Sequence, residues 1–194
     1  MRKIIENSLS EAVKTLQDFV ADSTALDALE RAGNIMADSI LNGGKIIACG
    51  NGGSLCDATH FAEELTSRFR KDRFSIPAIA INDPAYITCT INDFSPDILF
   101  SRYVESFAKS GDVLLAISTS GNSENVLNAS KVAKERGMKV VALTGKGGGK
   151  LAELADVEIR APHTPYSDRA QEIHIKAIHI LVECIEAKVV YKTG

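Results

Sequence analysis

Lys45-Ile46-Ile47-Ala48-Cys49-Gly50-Asn51-Gly52-Gly53-Ser54-Leu55-Cys56-Asp57-Ala58-Thr59-His60-Phe61-Ala62-Glu63-Glu64-Leu65 is the stretch on which the fold of this chain turns. Its first five residues form a short apolar run, which predicts a buried strand. Phe61, Leu65 and Phe69 recur every four residues and predict a helix. Between them stand Gly50, Gly52 and Gly53, then Ser54, a residue type suited to an N-cap. A strand, a glycine-rich turn and a helix N-terminus make an anion site, because bare N–H groups point outward where the helix carries partial positive charge. His60 and Glu64 are spaced i, i+4, so they share one face of the same helix.

Upstream, Ile5, Leu9, Val13, Leu16 and Val20 form one helical stripe and Leu26, Leu29, Gly33, Met36 and Ile40 a second, ended by Asn42-Gly43-Gly44. Residues 1–42 therefore read as two amphipathic helices, each with an apolar face to bury on the sheet or on another subunit. Downstream, 76–81 reads as a strand with Pro77 at an edge or first position. Turns follow at 82–84 and 91–93, and a helix over 99–108. Strands are expected at 112–117, 139–144 and 157–159, with helices at 124–136, 150–155 and 168–190 and a flexible glycine segment at 145–149. Short apolar runs alternating with helices predict an α/β fold: a parallel sheet covered on both faces, with ligands beyond the C-terminal strand ends.

A length of 194 residues predicts one domain. A net charge of -3, without a basic run, argues against a nucleic-acid binder. No apolar run approaches the roughly 18 residues of a membrane span, and the amphipathic N-terminus lacks the core of a signal peptide. Cys49, Cys56, Cys89 and Cys184 show no paired spacing and read as reduced, buried thiols of a cytoplasmic protein.

Ser118-Thr119-Ser120-Gly121-Asn122-Ser123 is the second anion-site candidate. Four hydroxyls at a helix N-terminus suit a phosphate monoester and exceed what a capped turn needs. Gly50-Asn51-Gly52 is not a dinucleotide fingerprint, since Leu55 stands where the last glycine is required. Gly145 to Lys150 is not a Walker loop, since Leu151 replaces the Ser or Thr. His60 with Glu64 reads either as a helix-surface ion pair or as an acid/base or metal pair. The last helix carries Gln171, Glu172, His174 and His179 among apolar positions, and unpaired buried polar groups are costly. Glu172 is expected to pair with Lys176, His174 to be either structural or part of a site, His163 to be loop, and Asp168 to cap the helix. Arg68 and Arg169 read equally as surface charges or as partners of a distal hydroxyl or phosphate.

Together GNGGS, HFAEEL, INDF, ISTSGNSENV, ALTGKGGGK and DRAQEIHIKAIH resemble the sugar isomerase (SIS) family over nearly the whole chain, most closely its branch acting on sedoheptulose 7-phosphate. The resemblance implies a single SIS domain over 1–194, a three-layer, flavodoxin-like sandwich with a five-stranded parallel sheet and two extra N-terminal helices that serve as an oligomer interface. It implies an aldose–ketose isomerase converting sedoheptulose 7-phosphate to D-glycero-D-manno-heptose 7-phosphate, the first step toward lipopolysaccharide inner-core heptose. Carried over by motif, Ser118, Thr119, Ser120 and Ser123 hold the phosphate, and Asn51, Gly52, Gly53, Ser54, Asn92, Asp93 and Gln171 line the sugar. Glu64 and His179 become the acid/base pair, and His60, Glu64, Gln171 and His179 a zinc site, one ion per subunit of a homotetramer with active sites between subunits.

Gln171 and His179 lie roughly 12 Å apart along a helix and point roughly 80° apart, so at least one metal ligand is expected from another subunit. The rival reading is a non-catalytic tetrameric family member that binds the replication initiator, which has no need of the His60, Glu64, Gln171 and His179 set. A second rival is another sugar-phosphate isomerase of the family or a phosphosugar sensor, and a sensor would carry a DNA-binding domain for which these residues leave no room.

Overall fold

In the computed structural model, residues 1–192 are described; positions 193 and 194 of the expected 1–194 domain lie outside the described residues. In chain order the elements are α1 (Arg2–Ala21), α2 (Ser23–Leu41), β1 (Ile46–Gly50), α3 (Gly53–Thr66), β2 (Ala78–Ala80), α4 (Pro84–Asp93), a 3-10 turn (Pro96–Ile98), α5 (Leu99–Phe107), β3 (Val113–Ser118), α6 (Glu124–Glu135), β4 (Lys139–Thr144), α7 (Gly149–Leu154), β5 (Val157–Arg160) and α8 (Ser167–Val189). All strand pairs are parallel, in the order β2-β1-β3-β4-β5. The expected α/β fold with a five-stranded parallel sheet is therefore observed. The chain leaves β1 for β2 on one side and returns to β3 on the other. The gap between β1 and β3 is the switch point at which such sheets bind ligands.

β1 and β3 are buried along their whole lengths, which is why they read as unbroken apolar runs. Their side chains alternate between two cores. Ile46, Ala48, Val113, Leu115 and Ile117 pack with Met36, Phe61, Leu65, Ala177 and Leu181 of α2, α3 and α8. Ile47, Cys49, Leu114 and Ala116 pack with Phe100, Val104, Val126 and Leu151 of α5, α6 and α7. These are the three layers expected.

Several local expectations are corrected. Asp83-Pro84 is not a turn but the start of α4: the Asp83 side chain accepts from Tyr86 N at 2.7 Å, and Pro84 takes the first helical position, where no N–H is needed. Residues 91–93 then form the end of that helix. The N-cap of α3 is Gly52, whose φ of +56° suits glycine, while Ser54 is buried in the first turn. α3 ends at Thr66, so Phe69 lies beyond the helix although it still packs on the core. Asp168 falls inside the first turn of α8, which Tyr166 precedes as N-cap. Glu172 pairs with Arg169 at 2.5 Å rather than with Lys176. The four cysteines are free, as expected, but Cys56 and Cys89 are exposed rather than buried. Along α1 only Thr15 and Phe19 are buried; Ile5, Leu9, Val13 and Val20 of the apolar stripe face outward with Ile4. Among the described residues no helix is long and apolar enough to cross a membrane.

Candidate active site

Two loops meet at the switch point. β1 delivers Gly50-Asn51-Gly52, and β3 delivers Ser118 to Ser123. Asn51 and Asn125 join them by reciprocal amide hydrogen bonds of 2.9 and 3.0 Å. In the second loop the Ser118 hydroxyl lies 3.0 Å from that of Ser123 and 3.4 Å from that of Ser120, so three hydroxyls cluster at the mouth of α6. Ser123 is the N-cap of α6, yet its hydroxyl turns to Ser118 and makes no cap hydrogen bond. The helix amides and the hydroxyls are thus presented together, the donor set a phosphate monoester needs. Thr119 stands half-buried between them, its backbone carbonyl against Gly145.

The glycine segment 145–149 is not a free loop. Leu151 N donates to Gly121 O at 2.9 Å and Lys150 N to the Asn122 side-chain oxygen at 3.1 Å. Gly121 adopts φ +64° and lies directly against the Gly148 carbonyl. Glycines on both sides let two backbones approach more closely than any Cβ would allow; the flexibility read into them is a requirement for close contact.

The groups expected to act as acid and base lie between α3 and α8. His60 Nε2 is 3.0 Å from His179 Nε2 and 3.3 Å from Glu64 Oε1. The His60 and His179 rings meet edge to face at 5.2 Å, and Phe69 backs His179 at 5.7 Å. A cavity of about 490 Å³, lined by Leu55, Cys56, Thr59, His60, Glu63 and Asn82, opens over His60. Ligand atoms of His60, Glu64 and His179 all fall within 4.8 Å of one another. Two ligands held about 2.0–2.1 Å from a tetrahedral zinc lie roughly 3.3 Å apart, so the observed spacings and the N, N, O donor set fit that ion. These three converge within one chain. Gln171, two turns before His179, packs instead against Gly53, where a Cβ would collide with its amide. A donor from a second chain is therefore a question for the fourth position alone.

Asn92 and Asp93 stand on the exposed last turn of α4, where Asn92 donates to Asp93 at 2.7 Å and the Cys89 thiol to the other Asp93 oxygen at 3.4 Å. These bonds hold the Asp93 carboxyl below its usual range. His174 is fully buried, and its Nε2–H donates to Thr144 O at 2.8 Å. Burial pushes its pKa down, so it is a neutral structural histidine tying α8 to the end of β4. His163 is an exposed loop residue. Arg68 is exposed and paired with Asp72 at 2.8 Å. Arg169 is buried and donates to Ser8 of α1 at 2.6 Å.

Asp57 escaped sequence reasoning. It is 8% exposed, and its Oδ2 has no hydrogen-bond partner among the described residues. Burial pushes its pKa up to about 6, against the pull of His60. A carboxyl with a raised folded pKa holds its proton in the folded state between the unfolded value of about 3.9 and about 6. Stability therefore falls as pH rises through that window, and the full penalty is present above it. Asp57→Asn is expected to be more stable than the parent at pH 8 by on the order of 1–2 kcal/mol, after discounting for partial solvent screening, and to match it near pH 4. Urea unfolding at pH 8, 6 and 4 measures this; equal stability at pH 8 would show that no buried charge is relieved.

The chain belongs to the SIS-domain family, whose model matches residues 9–145. Within that family it is similar to the phosphoheptose isomerase of Salmonella newport, with 57% identity over 187 residues, covering 96% of this chain and 97% of the relative. It is also similar to solved phosphoheptose isomerases from Neisseria gonorrhoeae (TM-score 0.89, 39% identity) and Francisella tularensis (TM-score 0.90, 34% identity). Each comparison covers 96% of this chain and 98% of that structure.

Proposed function

We infer that this chain is an isomerase interconverting sedoheptulose 7-phosphate and D-glycero-D-manno-heptose 7-phosphate, and that it supplies heptose for the lipopolysaccharide inner core. The convergence of His60, Glu64 and His179 beside two donor-rich loops at the switch point carries the reading. The near-full-length likeness to phosphoheptose isomerases supports it. Ser118, Thr119, Ser120 and Ser123 bind the phosphate. Asn51, Gly52, Gly53 and Ser54 line the sugar, joined by Gln171 on Gly53 and by Asn92 and Asp93.

In the forward direction the Glu64 carboxylate takes a proton from C1 of the open-chain ketose, leaving a cis-enediolate. His179 moves the hydroxyl proton of O1 to O2, and Glu64 returns its proton to C2, so a C2 carbonyl becomes a C1 aldehyde with no net gain or loss of atoms. Positioned acids and bases of this kind each contribute about 10²–10⁴ in rate. Zinc held by His60, Glu64 and His179, with its fourth position filled by a donor from a second copy of the chain, would polarise the carbonyl and stabilise negative charge on the enediolate. The outward apolar face of α1, from Ile4 and Ile5 to Val20, is the surface that other copies cover in a cytoplasmic tetramer.

Turnover of sedoheptulose 7-phosphate, followed by NMR with added zinc and with chelator, tests the reading. The manno-heptose 7-phosphate is expected, with turnover lost to chelator and restored by zinc. Product formation unaffected by chelator would remove the metal from the reaction. No product from folded protein under either condition would transfer the proposal to a non-catalytic role.

A further inference from the structure

The last carbonyls of α3 have no partners within the helix, and Glu64 belongs to that last turn. Glu63 O is taken by Ser67 N at 2.8 Å, and Leu65 O by Ile76 N at 3.0 Å as the chain enters the sheet. The Glu64 carbonyl is taken by one side chain, the Arg73 guanidinium, at 2.6 Å. The same guanidinium donates to Ser67 O at 2.8 Å and Phe74 O at 3.1 Å. Its Nε reaches Glu186 Oε1 of α8 at 2.8 Å, with the two side chains only 1% and 5% exposed. Glu186 follows His179 by seven residues, which returns it to the same face of α8.

We propose that Arg73 is a positioning residue for the reaction, a strut that fixes the Glu64 end of α3 against the His179 face of α8. This rests on the roles given above to Glu64 and His179. His60 and Glu64 come from one helix and His179 from the other, so the 3.0 and 3.3 Å spacings depend on how the two helices sit. A guanidinium suits the task because its planar fork meets several acceptors in fixed directions, whereas a lysine ammonium is a point charge on a flexible stem. The pair is also a poor stability device, since a buried ion pair can often be replaced by apolar side chains without loss. What the fork adds is geometry.

Two variants separate positioning from folding. Arg73→Lys keeps the charge opposite Glu186 but cannot span the carbonyls. The double variant Arg73→Met, Glu186→Leu removes both charges and fills the space. Each is compared with the parent in thermal unfolding, in turnover per folded molecule, in KM, and in the affinity and visible absorption of cobalt(II), the metal alone. For Arg73→Lys the expected result is a still cooperative unfolding transition, its midpoint lowered by the carbonyls left without donors, and KM within about twofold. Turnover and cobalt affinity should each be weakened by about tenfold or more, with a shifted cobalt band, as for other residues that orient ligands and catalytic groups. The double variant is expected to show the same losses whatever its stability.

Parent-like turnover and cobalt spectra in Arg73→Lys would overturn the proposal, as would a lower unfolding midpoint with unchanged turnover per folded molecule. If the parent takes no cobalt, the metal reading fails alone and turnover per folded molecule decides the strut. If the parent binds cobalt but does not turn over the heptulose phosphate, the substrate reading fails and the cobalt affinity and spectrum decide it. A parent that does neither overturns both.

Discussion

Glu64→Gln is expected to lower turnover by about 10²–10⁴ while leaving KM for the phosphosugar within a few fold. The substitution keeps the volume of a side chain that is 15% exposed, with its carboxylate 3.3 Å from His60 Nε2. It removes the negative charge and the lone pair proposed to accept the carbon-bound proton. It also weakens the only carboxylate among the three converging groups, so metal affinity falls together with turnover. The hydroxyls proposed to bind phosphate belong to the loop after β3 and keep their arrangement, so binding of the substrate's phosphate end is expected to be spared. Deuterium uptake separates the steps. In heavy water the parent is expected to wash solvent deuterium into C1 and C2, as a carboxyl proton that exchanges before its return would do. The Gln variant should show neither uptake nor isomerisation. Near-parent turnover would remove Glu64 from the carbon-acid step and leave that step to His179.

How legible this was in the sequence varied with what each feature depends on. β3 and β4 are central, covered on both faces and continuous in apolar residues, so local composition sufficed to find them. α4 was invisible because only Thr90 of its ten residues is buried, which leaves no apolar period to read. The apolar stripe of α1 was read correctly as a pattern, but a pattern does not say what covers it, and within one chain little does. The residue pattern leaves His174 open between a structural and a site role, and only the family resemblance sets His179 apart from it. Five residues apart on a helix they point roughly 140° from one another: one meets a strand carbonyl and the other meets α3. Asp57 and Arg73 carried no local sign at all. A carboxylate in a helix and an arginine in a polar run read as solvated, and only tertiary contact shows the one orphaned and the other enclosed. The candidate site was thus legible in its residue types and helical spacing, and illegible in the supports that set its distances.

Gly121→Ala is expected to have an effect of similar size through binding. At φ +64° an L-residue carries a conformational cost of about 1–2 kcal/mol. The larger difficulty is spatial: a Cβ at Gly121 would lie inside the Gly148 carbonyl group and 2.9 Å from Gly149 N, both rigid backbone rather than flexible side chain. The two loops must separate. That breaks the bonds from Leu151 N to Gly121 O and from Lys150 N to Asn122, and it swings Ser120 and Ser123 out of the hydroxyl cluster around Ser118. Hydrogen bonds to a charged phosphate are worth about 1.5–3 kcal/mol each, so losing two of them raises KM by about 100-fold or more. The inhibition constant for inorganic phosphate should rise in parallel, and the unfolding midpoint should drop by several degrees. Gly147→Ala is the internal control, since a Cβ there meets nothing within 4 Å; it tests whether chain freedom, rather than close approach, is what the glycine segment provides. Parent-like KM in Gly147→Ala with a large rise in Gly121→Ala assigns the effect to the contact between the loops. Equal losses in both would assign it to freedom of the segment, and an unchanged KM in Gly121→Ala would remove the loop after β3 from phosphate binding.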